Sequence, residues 1–103
     1  MPYCVKLTPQ AQKDTEDLYK WIIRRAPHQG TTWYNGLIKA IASLAYSPQR
    51  CPVTIKGKEL NKPVHQLLYG KRPYRIFFWI MNQEVHVLHI RRGAQKPWRP
   101  KEL

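Results

Sequence analysis

The apolar positions of this chain change period several times, and each change marks an element. In YCVKLT (residues 3–8), Tyr3, Val5 and Leu7 alternate with Cys4, Lys6 and Thr8. A period of two is the signature of a short strand with one buried face. Thr8-Pro9 then reads as a helix start, with Thr as N-cap and Pro at the first helical position. Through Arg25, residues Ala11, Leu18, Trp21 and Ile22 recur on one side at helical spacing. Asp14, Glu16 and Asp17 lie toward the N-terminal half, and Arg24 and Arg25 close the last turn, both in the sense that suits the helix dipole.

Pro27 interrupts this pattern and Gly30 weakens it. A second amphipathic helix is predicted from about Thr31 to Tyr46, with Trp33, Leu37, Ala40, Ile41 and Leu44 as its stripe. The tryptophans at helical spacing, Trp21 and Trp33, are read as core. Residues 47–63 hold three prolines and no sustained period, and are expected to form a long surface loop. Three strands follow: VHQLLY (64–69), YRIFFWIM (74–81) and EVHVLHIR (84–91), with Asn82-Gln83 suited to a tight turn between the last two. The tail GAQKPWRPKEL has too many prolines to extend a strand. The order β-α-α-β-β-β defines an α+β domain in which two helices cover one face of a small, mainly antiparallel sheet. The other face is left open.

Length allows one core only, since 103 residues cannot bury two. Charge adds more. Eighteen Lys and Arg against six Asp and Glu give a net +12. The excess is concentrated after residue 55, where eleven basic residues face three acidic ones. A field of one sign on so small a domain points to a polyanionic partner, nucleic acid first. Cys4 and Cys51 are too few for a disulfide framework and lack metal-ligand spacing, so no metal or other cofactor is expected. Cys4, in an apolar stretch, is read as a core residue. No segment has the length or apolarity of a membrane span or signal peptide, and a cytoplasmic protein is expected.

The chain has no glycine-rich phosphate loop and no Ser-His-Asp order, and its few carboxylates make a paired-carboxylate hydrolase a poor fit. What stands out is a basic constellation: Arg75, His89, Arg91 and Arg92, with Lys71 and Arg72 in the preceding turn. Whether these share a face depends on hairpin register. A two-residue turn sets Arg75 opposite Ile90, and His89 opposite Ile76 on the other face. A three-residue loop sets Arg75 beside Arg91, and Phe77 beside His89. One residue of slip exchanges the faces. The second register gathers the polar residues and is the expected one.

Arginine and histidine together suit metal-independent RNA cleavage. Arginine meets the charge that builds on the phosphate, and histidine moves the proton. Trp98 or Trp79 can stack on a splayed base. Taken singly, Arg91 and Arg92 also read as solvated strand-end charges, His89 as a half-exposed strand residue, and His86 as an equal candidate. His28 and His65 have no context that singles them out.

The segments LLYGKRPYRIFF and VLHIRRGA, the helical hairpin and the Ser47-Pro48 that follows it resemble the RelE/ParE superfamily of bacterial type II toxins. The resemblance spans the whole chain, and its specific part is residues 66–94. It implies a sheet packed by two N-terminal helices and a cognate antitoxin that wraps the toxin. It further implies one of two targets. RelE-like members cleave mRNA on the ribosome, and ParE-like members poison DNA gyrase. By resemblance, Arg75 on the "YR" strand is catalytic, with Arg92 or Arg91 as second arginine. Trp98 is then the late aromatic. Independently of the resemblance, Lys71, Arg72 and Lys96 are expected to contact RNA. RelE-like enzymes carry lysines on the strand before "YR". VHQLLY has none, so Lys71 or His89 would take that role. The expectation is a ribosome-dependent mRNA endonuclease, the alternatives being a non-enzymatic gyrase poison or a plain nucleic-acid-binding protein.

Overall fold

The computed structural model describes residues 2–55, 62–71 and 73–93. Strand β1 (Cys4–Leu7) leads directly into helix α1 (Pro9–Arg25), and α2 (Gly30–Ala42) returns antiparallel in the manner of a helical hairpin. Short 3-10 turns at Ser43–Ala45 and Pro48–Arg50 follow, then β2 (Val53–Ile55), β3 (Val64–Tyr69), β4 (Tyr74–Met81) and β5 (Glu84–Arg92). The sheet order is β1-β5-β4-β3-β2, antiparallel except for the parallel pair β1–β5.

The predicted elements are present, with α2 ending at Ala42 rather than Tyr46 and with one strand added. β2 lies inside the stretch expected to be loop and pairs antiparallel with β3. Its Val-Thr-Ile run is β-branched throughout, which suits a pleated edge. The prolines and lysines around it hide so short a run from any periodicity test.

One core cluster joins α1, α2 and the helix-facing side of the sheet. Ala11, Leu18, Leu37, Ile41 and Leu44 meet Tyr74, Ile76, Phe78, Val85, Val87 and Ile90. Phe78 sits at its centre without solvent contact, so truncation to Ala would cost roughly 3–5 kcal/mol. The close approach of α2 to the sheet depends on Gly36, where a Cβ would overlap the Tyr69 hydroxyl that donates to Trp33 O at 2.8 Å. At the β3–β4 turn Gly70 takes φ 90°, a value L side chains resist.

Three local expectations are corrected. Cys4 is exposed, because the pairing of β1 with β5 turns Val5 and Leu7 to the helices and Cys4 and Lys6 away. Trp33 packs against the core but Trp21 does not. The first turn of α1 holds no acidic residue, and Asp14, one turn later, is engaged with the sheet instead.

Candidate functional site

The two-residue turn and the distal register are both present, and a β-bulge reconciles them. Met81 pairs with Glu84 across Asn82-Gln83, so the expected three-residue loop is not formed. Asn82 accepts the positive φ (56°) that such a turn demands. The ladder then shifts between Phe78↔Val87 and Phe77↔His89, leaving Leu88 as the extra residue of β5. Beyond the bulge Arg75 pairs with Arg91 and Phe77 with His89, which is the expected grouping reached by another route.

Thr8 braces the bulge from across the sheet. Its hydroxyl donates to Val87 O (2.9 Å) and Leu88 O (3.2 Å), and its backbone N–H donates to Val87 O. The Thr8 hydroxyl oxygen accepts from Ala11 N and caps α1. One side chain therefore sets both where the first helix starts and where the last strand changes register.

β1 ends opposite Val87, so among the described residues the outer edge of β5 beyond that point has no strand neighbour. α1 covers it, and Asp14 supplies the missing acceptor. Its Oδ2 accepts from Ile90 N at 3.0 Å and also pairs with His89 Nδ1. Arg91 Nη1 lies 3.2 Å from His89 Nε2. Both contacts are met at once by an imidazole with its proton on Nδ1, which donates to Asp14 and accepts from Arg91. The result is a chain Asp14–His89–Arg91, with the Asp14 and His89 side chains only 11% and 13% exposed.

Arg75 stands opposite Arg91, exposed, and makes no hydrogen bond or ion pair among the described residues. Like charges placed directly opposite on a ladder destabilise the sheet. A pair of guanidinium groups kept at such a cost is what an anionic ligand needs. Leu68 is beside Arg75 on β3 and is 54% exposed. Further along the same face Val64, Phe77 and Leu88 form a second buried apolar cluster, with Trp79 packed against it.

His86 belongs elsewhere. It pairs with Trp79, four positions along β4 from Arg75, or about 13 Å at the rise of a strand. There it contacts Glu84 at 3.2 Å, while Lys6 Nζ lies 2.6 Å from the same carboxylate. Hydrogen bonds from Lys6 and then His86 hold Glu84 below the usual carboxylate range, and the bond to Glu84 raises Lys6. His65 stacks on Phe78 and lies 2.8 Å from Cys51 O through Nδ1, a packing role. His28 is exposed between the helices.

Arg92 is separated from the other arginines. It pairs with Tyr74 on the helix-facing side, and its guanidinium lies over the Trp21 ring at 4.3 Å. Arg25 covers the same ring at 4.0 Å. Trp21, read as core from its spacing, instead lines a cleft of about 590 Å³ with Arg25, Lys71, Pro73, Tyr74, Arg92 and Gly93. Its position at the end of α1 places the indole past the sheet's apolar centre, where two guanidiniums compensate its exposure through cation–π contact. Burial pushes the Tyr74 phenol up, opposed by the Arg92 charge.

Of the residues singled out in sequence, Arg75, His89 and Arg91 are brought together. Lys71 and Arg92 meet in the Trp21 cleft instead. Arg72, Lys96 and Trp98 lie outside the described residues. Asp14 was missed, because its helical spacing carries no sign of a contact 75 residues away. Among the described residues no group of three or more His, Cys, Asp and Glu could hold a metal, and no helix is long and apolar enough to cross a membrane.

This arrangement of helices and sheet recurs in solved structures of toxin–antitoxin systems. A chain of the chromosomal ParDE toxin–antitoxin system from P. aeruginosa matches over 87% of this chain and 95% of its own, with TM-score 0.71 and 16% identity. A chain of the RelBE2 toxin–antitoxin complex from Mycobacterium tuberculosis matches over 89% and 99%, with TM-score 0.54 and 18% identity. Likeness at these identities is one of fold. Residues 5–97 match the family described as the ParE toxin of the type II toxin–antitoxin system parDE, and the chain belongs to that family. No curated protein matches it in sequence.

Proposed function

We propose that this toxin is neutralised by a cognate antitoxin, and that it arrests growth by binding DNA gyrase through the Arg75–Arg91 face without cutting nucleic acid. The observation that carries this reading is the engagement of His89. Asp14 takes its Nδ1 and Arg91 its Nε2, while β3 offers only Gln66 and Leu68 beside this end of the face. Two guanidiniums without an available proton acceptor among the described residues can grip an anionic or acidic surface, but no described residue offers the base that phosphodiester cleavage requires. Purified protein should inhibit gyrase supercoiling and accumulate cleaved DNA, with Arg75→Ala losing the effect. Unimpaired supercoiling at a protein concentration that arrests growth would reject the proposal.

A second reading rests on the same chain of contacts. An aspartate holding Nδ1–H is the arrangement that orients a histidine base, and Arg75 and Arg91 share its face. If Arg91 moved onto a substrate phosphate it would release Nε2 to accept the 2′-hydroxyl proton as the 2′-oxygen bonds to phosphorus and the P–O5′ bond breaks, the 5′-oxygen leaving with a proton from water, giving ribosome-dependent mRNA cleavage. Codon-phased breaks in a translating extract, lost in both Arg75→Ala and His89→Gln, would select this reading over the first.

A further inference from the structure

We infer that Thr8 is a positioning residue for the arginine pair: from the junction of β1 and α1 it holds the bulge that turns Arg91 toward Arg75. The groups that β5 presents on its outer edge carry this inference. In an unbroken strand, alternate residues offer their backbone to the same neighbour. Val87 offers its carbonyl to Thr8 N, so His89 should come next on that edge. Instead the Leu88 carbonyl also meets the Thr8 hydroxyl, at 3.2 Å, and it is Ile90 that sends its N–H to Asp14. Such a break in alternation is what the extra residue of a bulge leaves. Thr8 donates to the carbonyls on both sides of it.

Without the bulge the arginines part. Counting on from Phe78↔Val87 at constant register sets Leu88 opposite Phe77, Ile90 opposite Arg75 and Arg91 opposite Tyr74. Arg91 then lies on the helix side, and Ile90, now 2% exposed, leaves the core for the open face. Burial of Ile90 therefore favours the bulge too, but it leaves the Leu88 carbonyl turned out of the ladder. Leu88 is 4% exposed, and an unmet carbonyl at such a site disfavours the register that creates it. Thr8 meets it with its hydroxyl proton, whereas the cap on α1 uses the oxygen's lone pair. The two roles of one side chain are thus chemically separable. The inference rests on the reading of the Arg75–Arg91 face as the functional one, and it adds the residue that assembles that face.

Disulfide trapping in the full chain, with the exposed Cys4 changed to Ser, reads the register. Residues directly opposite lie about 4.5–5.5 Å apart at Cα, within reach of a disulfide, and residues on opposite faces do not bond. Arg75→Cys with Arg91→Cys therefore reports the bulged register, and Arg75→Cys with Ile90→Cys the unbroken one. The ratio of the two oxidation rates is compared between Thr8 variants, so the cost of each cysteine cancels. Thr8→Asp keeps a capping oxygen but has no proton to donate, and should lower the ratio about tenfold, the scale of one hydrogen bond lost at a buried acceptor. Thr8→Ser should preserve it. Deleting Leu88 gives the Arg75–Arg91 pairing with no bulge, so there Thr8→Asp should change the ratio by less than about twofold. Thermal melts show that each protein is folded, and Thr8→Val replaces Thr8→Asp if the latter is not. An unchanged ratio in Thr8→Asp overturns the inference. So does an equal loss with and without Leu88, which would make Thr8 a helix cap only. Inhibition of gyrase supercoiling is then measured on the Thr8 variants with both arginines in place, and should fall with the ratio. Inhibition that survives Arg75→Ala would remove the reading of the face and leave the register result standing. Inhibition lost in Arg75→Ala but kept in Thr8→Asp would remove the positioning role and leave the face.

Discussion

Asp14→Ala should be the most damaging single change to a side chain outside the apolar core. Asp14 satisfies the Ile90 N–H on an edge that β1 does not reach, and it holds His89 in place. Alanine leaves that backbone donor without an acceptor and frees an imidazole in a site only 13% exposed. An unsatisfied buried donor costs about 1–3 kcal/mol and a hydrogen bond to a charged group is worth about 1.5–3, so a loss of roughly 2–4 kcal/mol is expected once overlap is allowed for. At about 4–8 °C per kcal/mol for a domain of this size, the melting temperature should fall by roughly 8–32 °C. Asp14→Asn keeps an acceptor for Ile90 N and gives up the charge, and should lose about half as much. Urea unfolding of both variants, and of Asp14→Ala with His89→Ala as a double-mutant cycle, should give a coupling of about 1 kcal/mol or more between the two residues. The reasoning is refuted if Asp14→Ala unfolds within about 0.5 kcal/mol of the parent, the scatter of ordinary surface substitutions.

Thr8→Val keeps the shape and removes the hydroxyl that caps α1 and braces the bulge. It should cost about 1–3 kcal/mol in urea unfolding, with Thr8→Ser recovering most of it, and equal stability of Val and Thr would remove the brace from the account. Arg75→Gln relieves a cross-strand like-charge pair and should stabilise the fold by about 0.2–1 kcal/mol while abolishing growth arrest. A destabilised Arg75→Gln protein would mean that the arginine serves packing. Burial raises the Tyr74, Tyr69 and Cys51 acids. Their neutral forms are favoured in the fold, so stability is complete below the unfolded values of about 8.5 for the thiol and about 10 for the phenols, and falls as pH rises through the higher folded values. Urea midpoints should decline above that range, less steeply in Tyr74→Phe, and a midpoint that stayed level to pH 11 would contradict it.

Much of the fold was legible in local pattern. The Thr8-Pro9 helix start, the end of α1 at Arg25 and the stripe of α2 through Ile41 all came from spacing that a helix imposes on its neighbours. β2 was not legible, because three residues are too few to show a period. The site was half legible. Arg75, His89 and Arg91 stood out by composition, but Arg92, next to Arg91, could not be separated from it until the pleat assigned them to opposite faces.

What the chain determined by itself is therefore its elements and its charge, since capping, periodicity and net charge depend on residues close in sequence or on none in particular. Tertiary structure decided which of those charges meet. The register at Arg75 depends on one extra residue at Leu88, held by a threonine 80 positions earlier. Trp21 left the core because it meets the sheet at its last pair, where Arg92 faces it, and Asp14 joined the site because β1 is too short to satisfy the edge of β5. Each of these outcomes turns on the reach of one element past another, a quantity that no local pattern encodes.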